Sequence, residues 1–360
     1  MSERSIAVVG PTGFTGGLVV DALLRRGMAV RLVGRSLDRL TSVAARHRNA
    51  NPELCPVLEW ERERIAEVLV GCAAVVSCAG PFVEAGRPVV EGAIAARVPY
   101  CDSAGEQPFI RWVYEQQNDA AQSAGVAVVP AFGFDYVPGD LGAAIAVDGL
   151  GPLRRVDVVY AVQAVGTSVG TRRSALGMLR APCLQRVDGR LVVERLGARR
   201  RQVDAGFATV IAGSFPGGES LMLPRHLQVD TVITHVGLPG MLSPAGRWAS
   251  VLPRVLSLPG LAPTLDRLVG RGAAGPGARA RAGRVACHVE VEAEDGRRRA
   301  VLVEGTDPYG FTAAALAELA TRMARGNVDA TGSCAPAQVV DARGFLSATG
   351  YTVREVTPAG

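Results

Sequence analysis

Ser5-Ile6-Ala7-Val8-Val9 runs straight into Gly10-Pro11-Thr12-Gly13-Phe14-Thr15-Gly16. A short unbroken apolar run reads as a buried parallel strand, and the glycines that follow permit a tight turn. Behind them Leu18, Val19, Ala22 and Leu23 recur at helical spacing. Strand, glycine turn and helix in that order put backbone N–H groups and a helix N-terminus where a pyrophosphate sits. The flanking elements are what give the glycine pattern its meaning. Gly10, Thr12, Gly13, Phe14, Thr15 and Gly16 are therefore expected to hold a dinucleotide.

The second strand, Ala29 to Val33, ends at Gly34-Arg35-Ser36. An acidic residue near this point would bind the ribose of NAD; a guanidinium and a hydroxyl stand there instead. Arg35 is suited to a 2′-phosphate and Ser36 adds a donor, which points to NADP(H). The competing reading is a solvated Arg35 and a Ser36 that only caps the next helix.

At 360 residues the chain has room for two cores. It contains no lysine, so all 39 basic residues are arginine. That removes a Walker-type lysine, a Schiff-base lysine and a Tyr-xxx-Lys reductase pair. A net charge of +5 favours anionic ligands through long-range steering. The Arg199-Arg200-Arg201 cluster lacks interleaved aromatics, so nucleic acid is not expected. The seven cysteines are scattered without a CxxC pair, so neither disulfides nor a metal is expected. No N-terminal signal or membrane-spanning apolar stretch is visible, so a cytoplasmic location is expected.

Apolar runs alternate with helical patterns through the first third, including Ala73 to Cys78, Val98 to Asp102 and Val126 to Val129. This predicts an α/β chain whose N-terminal Rossmann domain, residues 1–140, is a doubly wound parallel sheet. Val156 to Val162, Val229 to Val236 and Ala286 to Glu292 partly alternate, and Glu294-Asp295-Gly296 is a hairpin signal. A second α+β domain on a mixed or antiparallel sheet with one exposed face is expected over 141–342. Residues 243–284 are rich in Pro, Gly and Arg and read as a mobile insertion, plain or acting as a lid. Residues 343–360 are expected as a C-terminal helix and tail that return to the Rossmann domain.

Three loops leave the carboxyl ends of strands in the first domain, where open α/β sheets bind ligands. They are Ala79-Gly80-Pro81-Phe82, Tyr100-Cys101-Asp102-Ser103-Ala104-Gly105-Glu106, and Ala131-Phe132-Gly133-Phe134-Asp135-Tyr136 with Val137 to Gly142 after it. All three are expected to line one pocket beside the nicotinamide. Together with GPTGFTGG, the segments CAGPF, YCDSAGE and GFDYVPGDLG resemble the saccharopine dehydrogenase-like oxidoreductases, and among them the trans-acting enoyl reductases. The resemblance spans residues 1–145 and continues more weakly at Gly170 to Ser174, Asp307 to Ala313 and Gly332 to Ala337. It implies an NADPH-dependent reductase that transfers hydride to a conjugated enoyl group of an acyl, lipid or polyketide intermediate, small or carrier-bound. The alternatives are a C=O or C=N reductase of secondary metabolism, or a non-catalytic NADP(H)-binding sensor. Homo-oligomerisation and peripheral membrane contact stay open.

The departures bear on mechanism. Saccharopine dehydrogenases proper are associated with a Lys–His pair, which a chain without lysine lacks. Where the enoyl reductase-like pattern reads Gly-Phe-Asp-Ser-Val-Pro, Tyr136 replaces the serine and becomes the expected proton donor. Asp135 and Cys101 are the further catalytic candidates, set against an Asx turn and a small buried filler. Ala79, Gly80, Pro81, Phe82, Asp102, Gly133 and Phe134 are expected at the cofactor. Asp102 and Glu106 also read as ties between loops, with Glu106 capping the helix after it, and Asp140 reads as a helix N-cap. Thr171, Arg172 and Ser174 open a helix after glycine and, with Tyr309, are the substrate candidates.

Overall fold

The computed structural model describes residues 4–163, 166, 168, 172, 182–237, 275–277 and 281–359. They form two compact units: Met1–Gly133 with Tyr309–Cys334 and Gln338–Val340, and Phe134–Pro308 with Ala335–Ala337 and Asp341–Gly360. Strands are numbered β1 to β16 in chain order. The expected insertion lies largely outside the described residues.

The first unit is built on β1 (Ile6–Val9), β2 (Val30–Gly34), β3 (Glu53–Pro56), β4 (Ala74–Ser77), β5 (Tyr100–Asp102), β6 (Ala127–Val129) and β15 (Gly332–Ser333). All pair in parallel, in the order β15-β6-β5-β4-β1-β2-β3. Every residue of β1 and β4 is buried, which is why these strands read as continuous apolar runs. Strand order reverses between β1 and β4, so a crevice opens at their carboxyl ends. Helices α1 (Phe14–Arg25), α2 (Leu37–Ala44), α3 (Arg62–Leu69), α4 (Phe82–Ala95), α5 (Gln107–Trp112) and α6 (Asn118–Ala124) connect the strands.

The division differs from the sequence expectation at three places. The first unit stops at Gly133, so Asp140 belongs to the second. The helix Pro308–Ala324 and β15 group with the first unit. There Gly332 and Ser333 extend the parallel sheet beside Ala127 and Val128, a two-residue strand too short to carry a periodic signal. The C-terminal residues stay with the second unit, because β16 (Thr352–Val356) pairs antiparallel with β14 (Arg298–Thr306).

The second unit also contains α7 (Val137–Ala146), β7 (Leu153–Val162), β8 (Cys183–Val187), β9 (Arg190–Glu194), β10 (Arg200–Asp204), β11 (Thr209–Ser214), β12 (Val229–Gly237) and β13 (Arg284–Ala293). Its sheet is mixed: β12 and β7 are parallel, while β13 pairs antiparallel with both β7 and β14. The β13–β14 turn forms at Glu294-Asp295-Gly296, with Gly296 at φ +84°. One face of the sheet packs against α7, where Gly142 lies so close that a Cβ would come within 2.9 Å of Val289. The other face was expected to be exposed, yet β7 and β13 are buried on both sides. Register puts Asp157, His235, His288 and Glu290 on that second face. The two carboxylates are paired with Arg155, Arg201 and Arg298, which lets charged groups line a buried surface.

Candidate functional site

In the first unit the glycine turn behaves as close packing demands. Gly10 sits at φ +78°, against the backbone of Ala79, where a Cβ would lie 3.0 Å away. Gly16 lets α1 approach its own strand: a Cβ there would fall 2.2 Å from the Gly10 carbonyl oxygen. Gly13 is different. Among the described residues its Cβ would meet only that carbonyl within 4 Å, at 3.6 Å, an ordinary contact. Gly13 is the N-cap of α1, no side chain caps the helix, and its first turn holds no acidic residue. Such an N-terminus suits a pyrophosphate in both shape and charge. The residues present therefore fit a dinucleotide.

Arg35 is exposed at the end of β2 and has no ion-pair partner among the described residues. Ser36 accepts the backbone N–H of Arg39 at 3.4 Å and so caps α2. Thr12 and Thr15 are half-buried along the turn. Phe14 meets the ring of Tyr309 edge-on at 5.3 Å. Tyr309, a substrate candidate from sequence, thus lies beside the glycine turn. Gly133 faces Thr312, whose Cγ2 would stand 3.1 Å from a Cβ.

The β5 loop is organised by Asp102, which is fully buried. Its Oδ1 accepts the N–H groups of Ala104 at 2.8 Å and Ala131 at 2.7 Å, and its Oδ2 accepts the Tyr100 hydroxyl at 2.7 Å. The Asp102 carbonyl also accepts Phe132 N–H at 2.6 Å. Burial pushes the carboxyl up to about 7, against the lowering effect of its hydrogen-bond donors. Ala131 is held at φ +59°, a left-handed conformation that costs a non-glycine residue about 1–2 kcal/mol. Asp102 is thus a tie between the β5 and β6 loops, the second of the two roles expected of it.

Glu106 is also a tie between loops, as expected, but it does not cap the helix after it. Its carboxylate accepts Phe82 N–H at 3.4 Å and Gly105 N–H at 3.2 Å, so it serves the start of α4 and leaves its own helix uncapped. The Phe82 ring packs in the core against Phe109. Gly80 is exposed, and Ala79 and Pro81 are half-buried. Cys101 is fully buried, and burial drives its thiol well above the ordinary range, so it is held protonated.

In the second unit, Tyr136 is the N-cap residue of α7 and is 2% exposed, while Asp135 is exposed. Phe134 packs edge-on against Tyr160 and Tyr351. Asp140 does not cap α7: its Oδ2 lies 2.9 Å from His226 Nε2 and its Oδ1 accepts Ala337 N–H at 2.7 Å. Arg172 donates its backbone N–H to Ser168. Thr171 and Ser174 lie outside the described residues. Sequence reasoning missed the buried group beneath Tyr136: Glu219, Tyr160 and Thr234 share hydrogen bonds at 2.8 and 2.9 Å. No motif announces these residues, whose only signal is polar character within apolar runs.

Residues 10–135 match an NAD(P)H-binding family. A putative trans-acting enoyl reductase of Mycobacterium tuberculosis is 33% identical over 188 residues, 49% of this chain and 44% of that protein. A trans-acting enoyl reductase of Mycobacterium leprae is 33% identical over 143 residues, 39% of this chain and 34% of the other. The chain thus spans less than half the length of these curated relatives. The structure of saccharopine dehydrogenase (L-Glu forming) from Saccharomyces cerevisiae superposes with a TM-score of 0.63 at 14% identity, covering 98% of this chain and 100% of that one. Fold and sequence together uphold the resemblance drawn from the motifs. No helix among the described residues is long and apolar enough to cross a membrane.

Proposed function

We propose that this saccharopine dehydrogenase-like chain is an NADPH-dependent reductase of a conjugated C=C bond in an acyl, lipid or polyketide intermediate. The observation that carries the reading is the open, uncapped α1 N-terminus behind Gly13, at the point where strand order reverses. Relatives named as trans-acting enoyl reductases support the substrate class.

When bound, the reduced nicotinamide supplies a hydride. The chain's own residues do the rest. Gly10, Gly13 and Gly16 let backbone N–H groups meet the pyrophosphate, and Arg35 pairs with the 2′-phosphate. Hydride addition to the β-carbon of an enoyl thioester leaves negative charge on its α-carbon and carbonyl oxygen. The Tyr136 hydroxyl donates the proton to the α-carbon, and water returns a proton to the phenolate.

The test uses the full chain with NADPH and crotonyl-coenzyme A as probe, following loss of NADPH absorbance and formation of the saturated thioester by mass spectrometry. Saturated product formed faster with NADPH than with NADH is the expected result. Turnover of keto or imine probes with none of the enoyl thioester overturns the reading.

A further inference from the structure

Glu219 opens the short helix Glu219–Met222 and is fully buried. Its Oε1 accepts the Tyr160 hydroxyl at 2.8 Å and its Oε2 accepts the Thr234 hydroxyl at 2.9 Å. The Tyr160 oxygen in turn accepts the N–H of Gly139 at 3.1 Å. Gly139 stands in the first turn of α7, and the carbonyl of Tyr136 accepts Asp140 N–H in the same turn at 2.9 Å. A chain of hydrogen bonds therefore runs from β12 through Glu219 and Tyr160 to the turn that Tyr136 begins.

Glycines make room for it. A Cβ on Gly139 would sit 2.7 Å from both Glu219 Oε1 and the Tyr160 oxygen, and one on Gly217 would sit 2.4 Å from Glu219 Oε2. Gly218, the residue before Glu219, lies against the Tyr136 ring, whose Cγ and Cδ1 would be 3.3 Å from a Cβ. Glu219 thus adjoins both supports of Tyr136, the backbone at Gly139 and the ring at Gly218.

We propose that Glu219 is a positioning residue for Tyr136, acting through Tyr160 and Gly218, and that its ionisation releases that placement. The importance of Tyr136 to turnover rests on the proposed reductase function; its placement by Glu219 does not. Burial lifts the Glu219 carboxyl to about 8, against the lowering effect of its hydrogen bonds, and Asp140 adds to the rise. Around Glu219 stand Tyr160 from β7, Thr234 from β12, Asp140 from α7 with its partner His226, and Cys287 from β13. At neutral pH the carboxyl keeps its proton and the site carries no charge there. In the neutral form one of the two hydroxyls must accept the carboxyl's own proton; losing that proton puts a negative charge in an enclosed space facing Asp140, and that hydroxyl must turn to donate.

The experiment labels the tyrosines with 13C at Cζ in the full chain and follows their NMR signals from about pH 6 to pH 9.5. Tyr136→Phe and Tyr160→Phe assign the two resonances. In the native chain both signals are expected to move with one midpoint near that of Glu219. In Glu219→Gln, which keeps the shape and cannot ionise, both stay still. Should Glu219→Gln fail to fold, Tyr160→Phe decides the matter, since it cuts the link and the Tyr136 signal then loses its response. A Tyr136 signal that ignores pH while Tyr160 titrates overturns the proposal, as does a midpoint that persists without Glu219 or without the Tyr160 hydroxyl. With the enoyl thioester probe, native kcat is expected to fall about fivefold from pH 8 to pH 9, whereas the Gln variant stays flat. Absence of turnover in every variant would sink the reductase reading and leave the NMR result to judge Glu219.

Discussion

Asp102 in the first unit and Glu219 in the second are both fully buried carboxyls, and both hold their protons more tightly than in water. Their partners differ. Asp102 receives one hydroxyl, from Tyr100, and two backbone N–H groups, which can only donate and so favour the charged form. Glu219 receives one backbone N–H, its own, and two hydroxyls, which can donate or accept and so also serve the neutral form. Burial raises both carboxyls against these donors, Asp102 to about 7 and Glu219 to about 8. The comparison extends to the regions around them. The first unit presents backbone groups to its candidate site, while the second arranges side chains distant in sequence.

If the first unit works through backbone, adding a side chain is the harshest test. Gly13→Val is expected to abolish NADPH binding in a titration while leaving the melting temperature near that of the native chain, because among the described residues its Cβ meets only the Gly10 carbonyl oxygen, at ordinary contact distance. Gly16→Ala drives a Cβ into the Gly10 carbonyl and should cost about 1–3 kcal/mol of stability in denaturant unfolding. Equal stability losses in both would break the distinction between the ligand side and the packed side of the turn.

The second unit is tested through a side chain. Tyr136→Phe keeps the ring against Gly218 and removes the hydroxyl. A loss of about 10²–10⁴-fold in kcat with NADPH affinity retained is expected for a proton donor. Unchanged turnover would reduce Tyr136 to a pocket wall.

Arg35→Asp sharpens the cofactor assignment. Removing a charge-assisted contact should raise KM for NADPH about 10–100-fold and leave KM for NADH nearly unchanged. A parallel rise for both cofactors would remove Arg35 from the 2′-phosphate.

Asp102→Asn should change function least. Asparagine keeps an oxygen for the Ala104 and Ala131 amides and cannot ionise. The native carboxyl binds its proton more tightly folded than unfolded, so its stabilising contribution is full below about pH 4. That contribution is lost as pH rises to about 7, with a slope of up to about 1.4 kcal/mol per pH unit. Denaturant unfolding of the variant should lack this part of the slope. An unchanged slope would mean that Asp102 does not titrate in that window.

The glycine turn, the parallel strands and the Arg35 position were readable because each depends on residues adjacent in sequence. A strand buried on both faces must be apolar throughout, and a turn at positive φ favours glycine at Gly10. The role of Glu106 was not readable in full: its carboxylate serves an amide 24 residues earlier, at Phe82. Asp140 reads as a cap because it opens a helix, yet His226 and Ala337 take its oxygens.

Local pattern thus determined that the chain begins with a nucleotide-binding βαβ unit and continues into a mixed sheet. Only tertiary structure decided that the helix Pro308–Ala324 and β15 join the first unit, and that Glu219, Tyr160 and Thr234 share one buried network. Hydrophobic periodicity records which face of an element avoids water, and turn residues record where the chain reverses. Neither records which distant donor a buried carboxyl meets, because that choice is made by the cost of leaving a polar group unpaired once the surrounding surfaces have closed.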